Sequence, residues 1–190
     1  MDGPAAKDED TPASLESLVA GMRHPPVERW NPPHCGDIGL KIRADGTWTY
    51  RGSPIRREAL VKLFASVLRK DADGRTYLVT PAEKVDVEIE DAPFLAVEMQ
   101  VQGSGREQSL ILRTNVDDVV RCGPTHPLRF ARGAPGDGLK PYVLVRGRLE
   151  ALFSRALLYD LAELAVEEER DGIVVPGVWS GGAFFAMAPA

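Results

Sequence analysis

The sequence has few of the residues that build disulfide frameworks or structural metal sites. Its 190 residues include two cysteines, Cys35 and Cys122, and three histidines. Small secreted domains use several cysteine pairs, and a structural zinc site needs four ligands at a recognisable spacing. Cys122 and His126 are four positions apart, but Gly123 and Pro124 lie between them and no second pair is obvious. We therefore expect no disulfide framework, no metal and no cofactor.

Long apolar runs and a basic excess are also missing. Residues 183–187 are far shorter than the roughly 20 apolar residues that span a bilayer, and the acidic residues 1–10 do not resemble a signal peptide. The formal net charge is -5 and the sequence pI is about 5.3, whereas nucleic-acid-binding proteins carry a basic field. These features predict a cytoplasmic protein that binds neither nucleic acid nor membranes.

The motifs of common nucleotide-binding and catalytic sites are absent from the sequence. No glycine-rich loop ends in the Gly-Lys-Ser/Thr of a P-loop, and no G-x-G-x-x-G motif joins a strand to a helix. Cys35 follows His34, but adjacent side chains on an extended segment point to opposite faces, which favours a partly buried structural cysteine over a nucleophile with its base. A non-enzymatic protein is therefore favoured, and an unrecognised enzyme is the less favoured alternative.

The chain does contain 44% hydrophobic and 27% charged residues, which is typical of a globular fold. Residues 1–13, rich in Asp, Ala and Pro, are expected to form a disordered tail. Ser14 is a favourable N-cap for a short helix with an apolar stripe at i, i+3, i+4, i+7 spacing: Leu15, Leu18, Val19 and Met22.

Alternating apolar residues over 38–42, a turn at Gly46 and a returning strand predict a β-hairpin. Ser53 and Pro54 are expected to open a helix, since serine caps a helix and proline fits its first position. Asp73 and Gly74 would end this helix. Its expected core positions are Leu60, Leu63, Phe64, Val67 and Leu68.

Residues 85–113 alternate apolar and polar positions, which predicts an antiparallel meander. Ser154 is expected to cap a second long helix that ends at Asp171 and Gly172. The two helices align without gaps, so that Leu60 matches Leu158 and the two Asp-Gly stops coincide. Either two amphipathic helices match by coincidence, or the chain contains a duplication, which the shared stop favours.

These patterns predict an α+β fold of β-rich antiparallel sheets with internally duplicated units, each a strand pair followed by a helix. We place an N-terminal α+β subdomain at residues 14–82 and a C-terminal β-rich subdomain with a packed helix at residues 83–190. The seam between the halves is the expected place for a concave site.

Several strings closely resemble the family called domain of unknown function 1285. They are PPVERWNPP (25–33), CGDI (35–38), DGTW (45–48), GSPI (52–55), TPAEKV (80–85), EDAPFLAVE (90–98) and RTN (113–115), and the resemblance extends over about residues 14–188. It implies a two-part fold with an internal duplication and a C-terminal part that superficially looks pleckstrin-homology-like. It also implies a ligand between the two parts, which could be nucleotide-based, and a role in bacterial signalling. It supplies no catalytic residue.

Arginines at the predicted helix starts are the least ordinary feature. Arg56 and Arg57 are expected in the first turn of one helix and Arg155 in that of the other, where the helix dipole favours acidic residues. Exposed backbone N–H groups together with arginine make an anion-binding corner, on which Trp48 or Tyr50 could stack a base. Alternatively, the arginines pair with neighbouring carboxylates or face water, and the two aromatic residues serve the core or surface.

Two functions from different classes follow. The first is a non-enzymatic module that binds a small anionic ligand, such as a nucleotide, in bacterial signalling. Lys84 and Asn115 are further candidates, because they lie inside the family-like strings. The second is a protein-interaction adaptor whose exposed sheet edges add a partner strand, with residues 1–13 helping to recruit the partner. A strongly perturbed carboxylate or thiol in a cleft would instead favour an enzyme.

Overall fold

Two six-stranded sheets and one three-stranded sheet make up most of the fold. The computed structural model describes residues 24–136 and 138–189, so the expected tail and the expected helix over residues 14–22 lie outside the described residues. Helix α1 (Glu58–Ser66) runs within the N-terminal part, after a 3-10 turn at Val27–Arg29. The strands of the N-terminal sheet are β1 (His34–Ile42), β2 (Trp48–Tyr50), β3 (Ser53–Pro54), β4 (Leu68–Lys70), β5 (Thr76–Val79) and β6 (Lys84–Ile89).

The C-terminal part contains the second six-stranded sheet, helix α2 (Arg155–Glu163) and the small sheet. A 3-10 turn at Gly105–Glu107 connects the first two strands of the second sheet. This sheet consists of β7 (Phe94–Gln102), β8 (Ser109–Thr114), β9 (Val119–Arg121), β10 (Leu128–Arg132), β11 (Leu139–Arg146) and β12 (Leu149–Phe153). The small sheet consists of β13 (Val166–Arg170), β14 (Ile173–Ser180) and β15 (Ala183–Ala186).

The two large sheets share one topology. Their strand orders are β3-β2-β1-β6-β5-β4 and β10-β11-β12-β7-β8-β9. In each sheet, the two strands that come first and last along the chain, β1 and β6 or β7 and β12, pair in parallel at the centre of the sheet. All other neighbouring strands are antiparallel. Two similar sheets of this kind indicate an internal duplication, and the predicted α+β class is confirmed. Helix α1 lies between the strands of the first unit, whereas α2 follows the second.

The first predicted helix starts later and ends earlier than expected. Ser53 and Pro54 form β3, which pairs with β2 after a turn in which Gly52 has a φ of +82°. The helix then runs only from Glu58 to Ser66, and Leu68 begins β4. The Asp-Gly pair at 73–74 forms the turn between β4 and β5 and is not a helix stop. Leu68, one of the expected core positions of the helix, belongs to strand β4. In the sequence, this buried apolar residue extends the apolar stripe of the helix beyond its true end.

The second helix shows the same pattern at its end. Ser154 caps it as predicted, because its side-chain oxygen accepts a hydrogen bond of 3.4 Å from the backbone N–H of Leu157. The helix ends at Glu163, and Asp171 and Gly172 form the turn between β13 and β14. Each helix is therefore followed by a β-hairpin with an Asp-Gly turn, which is what the sequence alignment detected.

Strands β6 and β7 belong to different sheets. The predicted continuous meander over residues 85–113 was wrong, since β6 pairs with β5 and β1, whereas β7 pairs with β8 and β12. The chain passes between the sheets at residues 90–93. Non-local pairing of this kind leaves no mark on the local alternation of apolar residues.

One hydrophobic core spans both six-stranded sheets. It joins Trp48 and Leu68 of the N-terminal sheet to Phe94 and Leu149 of the C-terminal sheet, and all four are almost completely buried. Helix α2 adds the buried Leu161 to the same cluster. Because close-packed cores hold their elements rigidly, this packing fixes the turns of one sheet against those of the other and shapes the space between them.

Candidate functional site

The cationic residues of the expected anion corner occupy separate places. Helix α1 begins at Glu58, so Arg56 and Arg57 precede its first turn, and Arg57 is its N-cap residue without a side-chain cap bond. Both arginines are exposed. Arg155 is the first residue of α2 and lines a groove beside Tyr159. The structure thus places Arg155, but neither Arg56 nor Arg57, in the first turn of a helix.

The two aromatic candidates also differ in their surroundings. Trp48 is 1% exposed and its ring centroid lies 6.3 Å from that of Phe64, so it is a core residue with no face open to a base. Its Nε1 finds no hydrogen-bond partner within the described part of the chain. Tyr50 is 42% exposed, and the guanidinium of Arg51 lies 5.3 Å from the centroid of its ring.

Lys84 and Asn115 make structural contacts. The Nζ of Lys84 lies 3.1 Å from Oδ2 of Asp71 and 4.3 Å from the ring centroid of Tyr77. Asn115 donates its backbone N–H to the carbonyl of Leu95 at 2.8 Å and accepts the N–H of Leu95 at Oδ1 at 2.9 Å. Both residues therefore serve the fold, and a binding role for either stays a prediction.

A cleft of about 480 Å³ lies between the two large sheets. Its N-terminal wall comes from β1, the end of β4, the turn between β4 and β5, and β6. Its opposite wall comes from the connection at 91–93, the turn between β11 and β12, and β12. We call it the intersheet cleft; its charged lining residues are Asp37, Lys70, Arg75, Asp86, Glu88, Asp91, Arg148 and Glu150.

Two acids of the cleft are held in short ion pairs. Asp86 accepts a hydrogen bond of 2.5 Å from Nη2 of Arg75 and lies 3.0 Å from Nε2 of His34. Glu150 accepts two hydrogen bonds from Arg129, at 2.9 and 2.6 Å. The pairing of Glu150 with Arg129 is bidentate, and the two oxygens of Asp86 contact Arg75 and His34 separately. Both oxygens of each carboxylate therefore have a partner.

Two further acids of the cleft, Asp91 and Glu88, also have hydrogen-bond or ion-pair partners. Asp91 accepts hydrogen bonds of 2.6 Å from Nζ of Lys140 and 2.7 Å from the hydroxyl of Tyr142. Burial by itself raises the pKa of Asp91, but the two hydrogen bonds together lower it by a larger amount. The pKa of Asp91 therefore lies below its usual range. Burial and the bond to Asp91 raise the pKa of Tyr142. Glu88 lies 3.1 Å from Nζ of Lys41.

The remaining charged residues of the cleft have fewer hydrogen-bond and ion-pair partners within the described residues. Asp37 accepts a hydrogen bond of 2.7 Å from the backbone N–H of Gly39. Lys70, at the end of β4, and Arg148, in the turn between β11 and β12, have no ion-pair or side-chain hydrogen-bond partner within residues 24–136 and 138–189. One unpaired cation from each sheet therefore lines the cleft, whereas its acids have partners.

Sequence reasoning missed Lys70 and Arg148. Each lies near a turn, but a lone cation near a turn is ordinary in a sequence with 23 lysines and arginines. Their shared position depends on how the two sheets pack, and no local pattern records that packing. The expectation of a concave site at the seam placed the cleft in general terms without naming its residues.

The described residues contain neither a metal-binding cluster nor a membrane-spanning helix. Among residues 24–136 and 138–189, no group of three or more His, Cys, Asp or Glu side chains is arranged to hold a metal ion. In the same ranges, no helix combines the length and apolar character needed to cross a membrane.

Comparison with known proteins gives a consistent result. Residues 25–92 match the family model described as domain of unknown function (DUF1285), N-terminal domain, and residues 93–187 match the one described as protein of unknown function (DUF1285), C-terminal domain. The boundary between the two matches falls in the connection between β6 and β7. No curated protein matches the chain.

Two crystal structures of DUF1285 family proteins are similar to this chain. The protein from Silicibacter pomeroyi is 43% identical, with a TM-score of 0.80 over 90% of this chain and 93% of that chain. The protein from Shewanella baltica is 28% identical, with a TM-score of 0.51 over 66% of this chain and 91% of that chain. Since the family models and the first of these structures each cover most of its length, the chain belongs to the DUF1285 family, as the resemblance of its sequence strings predicted.

Proposed function

We propose that the protein is a non-enzymatic module that binds a small anionic ligand in the intersheet cleft. The observation that carries the proposal is that, among the described residues, Lys70 and Arg148 have no ion-pair or side-chain hydrogen-bond partner, whereas the acids around them are held by other groups. Cations without partners at a concave surface attract anions, because a ligand can supply the missing hydrogen-bond acceptors.

The size and position of the cleft support a small ligand. Its volume of about 480 Å³ lies within the range of roughly 300–1,000 Å³ that small-molecule sites have. Lys70 comes from the N-terminal sheet and Arg148 from the turn between β11 and β12 of the C-terminal sheet, so an anion held by both would bridge the two sheets. A ligand that bridges two parts of a protein stabilises their arrangement relative to each other, which is the property that a sensor in signalling needs.

The lining favours a compact anion over an extended nucleotide. Arginine binds phosphate and carboxylate groups in a planar, bidentate manner, and lysine adds a point charge. None of the described residues that line the cleft is aromatic, and Trp48 is buried elsewhere. A base would therefore lack a stacking partner, and we expect phosphate-bearing or carboxylate metabolites to bind through their charged groups.

Thermal unfolding with a panel of phosphates, nucleotides and carboxylates tests the proposal. A ligand at a hundred times its Kd stabilises a protein by about 2.7 kcal/mol, which for this size corresponds to a rise in Tm of roughly 5–10 °C. We expect one anion class to raise the Tm of the wild type. The double variant Lys70→Ala, Arg148→Ala should lose that rise.

The matched control is the double variant Arg56→Ala, Arg57→Ala. It removes the same number of cations from the start of α1, outside the cleft, so it should retain the rise in Tm. If the control loses the rise in Tm and the Lys70→Ala, Arg148→Ala variant keeps it, the anion binds at the start of α1, as expected from the sequence, and not in the cleft. If no anion changes the Tm of the wild type, the proposed function is wrong.

A protein-interaction adaptor is a second candidate, supported by the hairpin of β13 and β14. Its exposed apolar residues are Val166, Ile173 and Val174, of which Ile173 is 66% exposed. Strand β13 is an edge of the small sheet, and an exposed sheet edge can add a partner strand. Cross-linked capture with the wild type and with the variant Ile173→Ser, Val174→Ser tests this function, which predicts a partner retained by the wild type alone. Equal capture by both proteins would contradict it.

A further inference from the structure

Strand β13 forms the open edge of the small sheet. The strand order of this sheet is β13-β14-β15, and β13 pairs with β14 on one side. A strand at the edge of a sheet leaves backbone N–H and C=O groups free on its outer side, where another extended chain can add. Which chain this edge accepts depends on the residues whose backbone faces outward.

The register of the hairpin shows that Glu167 and Glu169 face outward. Glu167 lies opposite Pro176, which has no N–H and whose carbonyl accepts a hydrogen bond of 2.8 Å from the backbone N–H of Met187. This pair is therefore not hydrogen-bonded, and such pairs alternate with hydrogen-bonded pairs along an antiparallel ladder. Glu169, two residues further on and opposite Val174, has the same orientation. The N–H and C=O groups of both glutamates thus point away from β14.

The same two residues carry uncompensated carboxylates. Glu167 and Glu169 are exposed, and within residues 24–136 and 138–189 their side chains have no ion-pair or hydrogen-bond partner. Glu168 points to the opposite face of the strand, where it lies 2.7 Å from Nη2 of Arg106 and accepts a hydrogen bond of 3.0 Å from Nε1 of Trp179. One face of the open edge therefore presents two negative charges at alternate positions.

These charges disfavour pairing of the edge with a second copy of the chain. An antiparallel pair of β13 strands centred on Glu168 places Glu167 of each copy opposite Glu169 of the other. Pairs centred on Glu167 or Glu169 place that residue opposite itself. Like charges directly opposite each other destabilise a sheet, so the edge resists self-association and favours a chain of opposite charge.

We infer that the outer edge of β13 binds an extended segment of a partner protein with lysine or arginine at alternate positions. The inference rests on the second candidate function, the protein-interaction adaptor, and names the chemistry of its partner. Residues of the added strand that exchange backbone hydrogen bonds with Glu167 and Glu169 have their side chains on the same face as these glutamates. Opposite charges across neighbouring strands stabilise the pairing, so basic residues are selected at both positions.

Titration of the isotope-labelled full chain with short blocked peptides, followed by NMR, tests the inference. The probes are the alternating peptide Thr-Lys-Thr-Lys-Thr-Lys-Thr and a neutral peptide with glutamine in place of lysine. We expect the lysine peptide to shift the amide signals of Glu167 and Glu169 more than that of Glu168, whose N–H faces β14. It should bind about tenfold more tightly than the neutral peptide, since each of two opposite-charge pairs contributes about threefold.

Two variants and a modified peptide separate charge selection from other effects. Glu167→Gln with Glu169→Gln should bind both peptides equally. The matched control Asp160→Asn with Glu163→Gln removes two exposed acids of α2, away from the edge, and should retain the preference for lysine. A lysine peptide that is N-methylated at its lysines keeps its charge but cannot donate those backbone hydrogen bonds, so it should not bind.

The outcomes distinguish this inference from the function on which it rests. Equal binding of the lysine and neutral peptides to the wild type would overturn the basic partner but leave strand addition, and hence the adaptor, in place. Equal binding of the N-methylated peptide and its parent would also overturn the inference, because charge alone would then hold the peptide. If neither peptide shifts the amide signals of β13, strand addition at this edge is wrong together with the inference.

Discussion

Arg146, at the end of β11, donates a hydrogen bond of 3.2 Å from Nη1 to the carbonyl oxygen of Leu68, the first residue of β4. Its Nη2 donates to the carbonyl of Ala65 in the last turn of α1. The last carbonyls of a helix lack intrahelical partners and carry partial negative charge, which a guanidinium satisfies. Burial lowers the pKa of Arg146, whereas the neighbouring Asp118 opposes this shift. Arg146 therefore ties helix α1 to the C-terminal sheet.

Replacing Arg146 should strongly destabilise the protein. Arg146→Met leaves the carbonyls of α1 without their donor and Asp118 without its cation, and removal of one partner from a buried pair costs about 3–5 kcal/mol. Urea unfolding monitored by circular dichroism measures this free energy. Arg132→Met, at an exposed arginine of β10, should change it by less than about 0.5 kcal/mol. Similar losses in the two variants would contradict the structural role of Arg146.

Gly46 should tolerate a methyl group less well than Gly52. Both have a positive φ, +83° and +82°, so alanine is strained by about 1–2 kcal/mol at either position. At Gly46, however, a Cβ would lie 2.9 Å from Nδ2 of Asn115 and 2.9 Å from Cδ1 of Leu95, whereas at Gly52 nothing lies within 4 Å. Gly46→Ala should therefore cost about 1–3 kcal/mol more than Gly52→Ala in urea unfolding. Equal costs would show that the hairpin turn does not press against Asn115.

Asp91 should make the stability of the protein sensitive to acid. Its folded-state pKa is lowered, below the value of about 3.9 in an unfolded chain. The unfolded state then binds the proton more readily, so this stabilisation is present above the unfolded pKa and is lost as pH falls through the folded pKa. The free energy of unfolding should drop less steeply between pH 5 and pH 2 in Asp91→Asn than in the wild type. Tyr142→Phe should lie between them, and an unchanged slope in Asp91→Asn would refute the assignment.

The two cysteines should differ in reactivity. Cys35 is exposed and not partly buried as expected, whereas Cys122 is buried and burial raises the pKa of its thiol. Since the thiolate is the reactive form, a disulfide reagent should modify one thiol per native chain rapidly and both after unfolding. Cys35→Ser should remove the rapid phase. Comparable rates for the two native thiols would indicate that the core around Cys122 opens readily.

Features determined by local sequence were predicted well. The hairpin of β1 and β2 follows from alternation and an Asp-Gly turn, and Ser154 caps α2 as expected. The helix start predicted at Ser53 and Pro54 was wrong because these two residue types, which favour helix N-termini, here form the short strand β3. Local patterns therefore identified most elements and misjudged where helices begin and end.

Features that depend on distant pairing could not be predicted from the sequence. The parallel contact of β1 with β6 brings together segments separated by four other strands. The cleft combines Lys70 and Arg148 from separate sheets, and Trp48 is buried in a core to which both sheets contribute. Of the two aromatic residues expected to stack a base, the structure buries Trp48 and leaves Tyr50 exposed.

The central parallel pairs also govern how the chain can acquire its fold. Strand β7 has no neighbour on its inner side until residues 149–153 are available to form β12. During synthesis from the N-terminus, the second sheet therefore stays open along one edge while most of its strands already exist. Unpaired strand edges of this kind bind other chains and aggregate. Completion of β12 is thus the event that converts an association-prone nascent chain into a closed sheet, and folding of the C-terminal part is expected to be slow for its size.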